Sequence, residues 1–158
     1  MEQIIGKENW KSLLEIRSYL ASDWLELCRI HDLARPIELQ GSCDEHAFVP
    51  LAEDKEDLEN FEQSLKYVAC LDGRAAGFVG VLDNEVTWLY VIPEDFAKGI
   101  GRALLEFALG TINGKAVVYA LDGNSRALRL YQSLGFGENH RFESEDNGFP
   151  CAVLKLSQ

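Results

Sequence analysis

The sequence predicts a mixed α/β fold of the α+β kind, with six to seven mostly antiparallel strands and about four helices. Three observations carry that prediction. The apolar runs Tyr67–Leu71, Ala76–Leu82 and Glu85–Ile92 are parted by Asp72-Gly73 and Asp83-Asn84, and such turns fold neighbouring strands back on one another. The run Thr87–Ile92 is followed by a glycine loop, a helix-like segment and the apolar run Ala116–Leu121, the order of a right-handed βαβ crossover with parallel strands. Asn124 then opens and Gly135 closes one more helix, before strands near Phe136–Phe142 and Cys151–Leu156.

In chain order, residues 1–12 read as an extension carrying Ile4, Ile5 and Trp10, and residues 13–158 as a single domain. Leu13–Tyr19 alternates like a first strand. Ser22 or Asp23 caps a helix whose apolar positions Trp24, Leu25, Leu27, Cys28 and Ile30 keep helical spacing. Pro36, Gly41, Ser42, Asp44 and Pro50 mark residues 35–52 as a loop, with room for a short turn of helix. Asp54–Gln63 is an acidic second helix, with Leu58, Phe61 and Leu65 on one face. In the third, Ile100, Ala103, Leu104, Phe107 and Ala108 recur at i, i+3, i+4, i+7 and i+8, and Gly110 or Gly114 ends it. Alternation from Glu85 puts Glu85, Thr87, Leu89 and Val91 on one strand face and Val86, Trp88 and Tyr90 on the other. Which face meets the helices stays open.

Composition narrows the partners. A net charge of −11 argues against nucleic acid and against anionic membrane surfaces, both of which need a basic footprint. It suits a cationic substrate. Cys28, Cys43, Cys70 and Cys151 are irregularly spaced, with no Cys-x-x-Cys, and read as reduced thiols of a cytoplasmic protein. No His/Asp/Glu cluster has metal spacing, so no metal is expected. His46 reads as a surface histidine, and Trp10, Trp24 and Trp88 as core or interface residues.

The most informative segment is Phe96-Ala-Lys-Gly-Ile-Gly101, between a strand and a helix. Glycines there let the backbone approach a ligand closely. The first N–H groups of the helix lack intrahelical partners and, with the positive end of the helix dipole, suit phosphate. Lys98 adds a cation. The loop is not a dinucleotide fingerprint, because the third glycine would fall at Leu104, and no Gly-Lys-Ser/Thr makes it a P-loop.

A second motif follows: Asn124-x-x-Ala127-x-x-x-Tyr131-x-x-x-Gly135-Phe136. Together with Val91-x-Pro93 and the Lys98-Gly-Ile-Gly-Arg-Ala-Leu-Leu105 helix start, it resembles the GNAT superfamily of acyl-coenzyme A-dependent N-acetyltransferases. The resemblance covers about residues 13–157 and is specific over 85–136.

That resemblance implies a sheet whose central parallel strands splay apart to admit a thioester. It implies acetyl-coenzyme A as co-substrate and a primary amine of a small molecule or peptide as acceptor, acylated by direct attack in a ternary complex. Backbone N–H groups of Phe96, Ala97, Lys98, Gly99, Ile100, Gly101 and Arg102 would hold the pyrophosphate. Leu89, Tyr90 and Val91 would hold the pantetheine arm. Asn124 and Ala127 would support the cofactor, and Tyr131 would protonate the leaving thiolate. Glu85 is the candidate base. The family usually carries Gln or Arg where this chain has Phe96, which keeps open a non-catalytic acyl-coenzyme A sensor or interaction module. Dimers are common in the family, and the oligomeric state stays open.

Overall fold

The computed structural model describes residues 13–158, so the expected extension at 1–12 lies outside the described residues. One seven-stranded sheet forms the frame, in the order β1-β2-β3-β4-β5-β7-β6. Its strands are β1 (Leu14–Ser18), β2 (Leu65–Leu71), β3 (Arg74–Leu82), β4 (Glu85–Val91), β5 (Val117–Leu121), β6 (Gly137–Asp146) and β7 (Phe149–Ser157). The helices are α1 (Trp24–Leu39), α2 (Lys55–Gln63), α3 (Ile100–Thr111) and α4 (Ser125–Ser133). All neighbouring strands run antiparallel except β4 and β5.

The turns follow local chemistry. Asp72 and Gly73 both take positive φ, as do Asn147 and Gly148 between β6 and β7, which is the backbone that tight hairpins need. Asp54 caps α2 by accepting from the Asp57 N–H. Asp23 behaves otherwise. Its carboxylate turns back to accept from Arg17 at 2.8 Å and from the Leu20 N–H, so it ties the β1 exit to the start of α1 instead of capping the helix.

Two helix boundaries depart from expectation. α1 runs through Pro36 to Leu39. The proline sits in the last turn, where Leu39 is fully buried and Arg35 pairs with both Glu38 and Asp146, and those contacts outweigh one lost backbone bond. α3 likewise passes Gly110 and stops at Thr111. Leu65 belongs to β2 and is exposed, not on the buried face of α2 with Phe61.

Strict alternation does not hold along β4. β3 pairs Gly80 with Trp88 but Val81 with Val86, so Thr87 is an extra residue, a bulge. Gly80 permits it: a Cβ there would meet Trp88 Cδ1 at 2.8 Å and Thr87 Oγ1 at 2.9 Å. Directly paired residues share a face. Trp88 and Tyr90 therefore lie with Phe78 beneath α1 and α2, where His31 and Phe61 meet their rings edge-on. Thr87 joins them, sharing a hydrogen bond with Ser64 at the end of α2, and pairing with Leu82 puts Glu85 on that side too. Val86, Leu89 and Val91 face α3. The main core fills both sides, with Leu27, Ile30, Leu51 and Phe78 on one and Val79, Ile100, Leu104 and Leu105 fully buried with them.

A smaller core of Leu39, Ala47, Leu121 and Cys151 closes one end of the sheet. There Cys43 and Cys151, 108 residues apart, form a disulfide, so these two are not reduced thiols; only tertiary proximity pairs them. Cys28 and Cys70 are free. Among the described residues no helix is long and apolar enough to cross a membrane.

Candidate active site

The parallel pairing of β4 with β5 covers only Glu85–Val117 and Val86–Val118. Beyond it the strands part. A cavity of about 410 Å³ opens beside Leu89, Tyr90 and Val91 and runs to the glycine loop. A second cavity, about 90 Å³, occupies the gap itself, between Val86–Tyr90 and Val118–Ala120. Glu38, Tyr90, Asn124 and Tyr131 line both, so they stand where the two meet.

The loop is shaped by positive φ at Ala97 and Gly99, and Gly99 is the N-cap residue of α3. Gly99, Ile100, Gly101 and Arg102 line the larger cavity with Phe96 and Ala97. The leading N–H groups of a helix have no intrahelical acceptor, so this end of the cavity offers donors and a positive dipole to an anion. A cavity of this size, apolar along most of its length and with donors at one end, fits an extended phosphate-bearing ligand.

Lys98 is not brought to the cavity. Its Nζ turns back to Asp95 Oδ1 at 2.6 Å. Asp95 is buried at the cavity wall, and its Oδ2 has no partner among the described residues. Phe96 carries the Arg126 guanidinium 3.8 Å from its ring centroid.

Asn124 caps α4 by accepting from the Ala127 N–H, and one helical turn after Ala127 the helix delivers Tyr131 to the junction. Tyr131 is buried, its ring against Phe136. Burial, then the charge of Glu38, pushes its phenol well above the ordinary range, so it keeps its proton at neutral pH. Tyr90 is shifted the same way, by burial and then by Glu38.

Glu38 is the site residue that sequence reasoning missed. Stopping the first helix before Pro36 left it in a loop. The signal available was Arg35 three residues earlier, an i, i+3 pair that belongs to a helix. Arg35 donates to Glu38 at 2.7 Å and also pairs with Asp146 at the β6–β7 turn. Asn147 extends that bridge, donating to the Ala47 carbonyl at 2.8 Å and to Asp54 at 3.3 Å. Glu85, the other candidate base, sits where β4 and β5 still pair and lines neither cavity. Burial raises its carboxyl. His46 is exposed and paired with Asp44, while His31 is buried behind Tyr90 and its Nδ1 donates to Asp32 Oδ1 at 2.9 Å.

Asp57 belongs to this acidic end. Burial, then Asp54, pushes it from an ordinary 3.8 to about 6, against the pull of Arg35. The folded state thus holds the proton more tightly, and wild-type stability falls as pH rises through that window. Asp57→Asn is expected to match wild type near pH 3.5, gain between pH 4 and 6, and stay ahead above it. Allowing for solvent, the gain is about 1–2 kcal/mol, or roughly 2–8 °C in Tm. Thermal unfolding at pH 3.5 and pH 8 checks it, and equal Tm values at pH 8 would refute it.

Residues 62–138 match the family described as Acetyltransferase (GNAT) domain. The peptidyl-lysine N-acetyltransferase YjaB of Salmonella typhimurium is 30% identical over 80 residues, which is 51% of this chain and 54% of that protein. The match therefore spans about half the length of that relative. Among solved structures, a GCN5-related N-acetyltransferase from Rhodopseudomonas palustris has a TM-score of 0.78 at 21% identity, covering 91% of this chain and 94% of its own. A spermidine N-acetyltransferase from Vibrio cholerae, in complex with CoA and spermine, has a TM-score of 0.68 at 20% identity, with 93% and 95% covered.

Proposed function

We propose that this chain, whose residues 62–138 match the GNAT acetyltransferase domain, is an N-acetyltransferase, taking the acetyl group of acetyl-coenzyme A to a primary amine of a small molecule or peptide. The observation that carries this reading is the junction of the two cavities at Tyr131 and Glu38. Acetyl-coenzyme A supplies an acyl group already activated as a thioester. The N–H groups of Gly99, Ile100 and Gly101 would bind its pyrophosphate, and the free edge of Leu89–Val91 its pantetheine arm, leading toward the gap beside Tyr131.

The amine reaches the gap from the side of Glu38. An alkyl amine is protonated at neutral pH and must lose that proton to attack. Glu38 is the carboxylate placed to take it, directly or through water; a role for Glu85 has to run through solvent. Tyr131, kept protonated by burial, donates to the departing sulfur. Glu38, Asp57 and Asp146 around Arg35 make the acceptor end acidic, in keeping with a cationic substrate and a net charge of −11.

Thiol release from acetyl-coenzyme A across a panel of polyamines, lysine peptides and free peptide N-termini tests this. Turnover with at least one amine is expected, and Glu38→Gln should lower kcat on that amine by about 10²-fold. Tight coenzyme A binding with no turnover on any amine would instead favour a non-catalytic acyl-coenzyme A sensor.

A further inference from the structure

The larger cavity holds a cationic contact that neither helix dipole nor ion pairing explains. Arg126 lies in the first turn of α4, and it lines the cavity. A cation there opposes the helix dipole, so α4 alone gives it no reason to stay. Among the described residues no carboxylate pairs with it. What it has is the face of Phe96, 3.8 Å from guanidinium to ring centroid. The negative face of an aromatic ring attracts such a cation and, being apolar, leaves its N–H groups free to donate elsewhere.

Among the described residues, the two cations of the loop and the start of α3, Lys98 and Arg102, are committed. Lys98 is bonded to Asp95, and Arg102 to Glu106 and Ser133. We infer that Phe96 and Arg126 act as one composite phosphate-binding unit: the ring at the loop holds a guanidinium lent by α4 over the cavity, where it binds a phosphate of the co-substrate. The inference rests on the acetyl-coenzyme A reading above and deepens it. It also accounts for Phe96 in a position where a polar side chain was expected, since the charge comes from the neighbouring helix.

Calorimetric titration with coenzyme A alone, without acceptor or turnover, is the test. Arg126→Gln should weaken binding by about tenfold or more, the scale of one charge-assisted hydrogen bond. Phe96→Leu keeps an apolar side chain but removes the ring, and should weaken it by about threefold to fivefold. The double variant should bind no worse than Arg126→Gln alone, because the ring acts through the guanidinium. Phe96→Arg in the Arg126→Gln background should recover most of the loss. Repeating the series with 3′-dephospho-coenzyme A identifies the phosphate: an undiminished Arg126 effect points to the pyrophosphate, and a vanished one to the 3′-phosphate. Wild-type binding with Arg126→Gln unchanged, or with fully additive losses in the double variant, would overturn the inference. No binding by the wild type would remove the acetyl-coenzyme A reading itself.

Discussion

Tyr131→Phe is expected to lower kcat by about 10²- to 10⁴-fold while the coenzyme A Kd stays within about twofold. The phenol oxygen is the one atom removed. The ring keeps its place against Phe136 in the main core, so folding and cofactor contacts survive. What is lost is a proton held where β4 and β5 part. A departing thiolate left without a donor makes collapse back to reactants the easier path. Burial holds the phenol protonated beyond its ordinary range, so the wild-type rate should show no falling limb from Tyr131 between pH 7 and 10. A variant that keeps kcat within a factor of two would remove Tyr131 from the chemistry.

Gly123→Ala should be the most damaging single methyl in the site. Gly123 has φ +101°, and a Cβ there would lie 2.5 Å from the Gly41 carbonyl oxygen and 3.2 Å from Ser42 Cα. Both neighbours are backbone, and the Cys43–Cys151 disulfide holds their segment against β7, so it cannot withdraw. Strain and overpacking together cost about 3 kcal/mol, or roughly 6–12 °C in Tm. Gly114→Ala is the control. It shares a positive φ of 87° but has open space where the methyl would go, so it should cost only about 1–2 kcal/mol. Equal losses in both variants would show that the Gly41 contact is not what Gly123 serves. Gly123 also lines the larger cavity, so coenzyme A affinity should fall with stability.

Part of this site was legible because its chemistry is local. The left-handed Gly99 before α3, the Asn124 cap and the Tyr131 spacing all lie within a few residues of the backbone they shape. The same holds for the hairpin at Asp72-Gly73 and for the crossover that makes β4 and β5 parallel. Spacing and turn preference act over three or four residues, so one sequence suffices to read them.

The remainder depends on what lies across the fold. Glu38 enters the site because Leu39 burial and Asp146 carry α1 past Pro36. The Thr87 bulge depends on Gly80 in the facing strand, and it reverses the sides of Glu85 and Val86 that alternation assigns. Lys98 is taken up by Asp95, and Phe96 is matched to Arg126, 30 residues later. By itself the sequence determined the fold class, the glycine turn before α3 and the tyrosine at the strand gap, because local backbone energetics select them. Only the tertiary structure decided which carboxylate reaches the gap, which cation stacks on Phe96 and which cysteines join. Those choices rest on contacts between residues far apart in the chain, which no local pattern encodes.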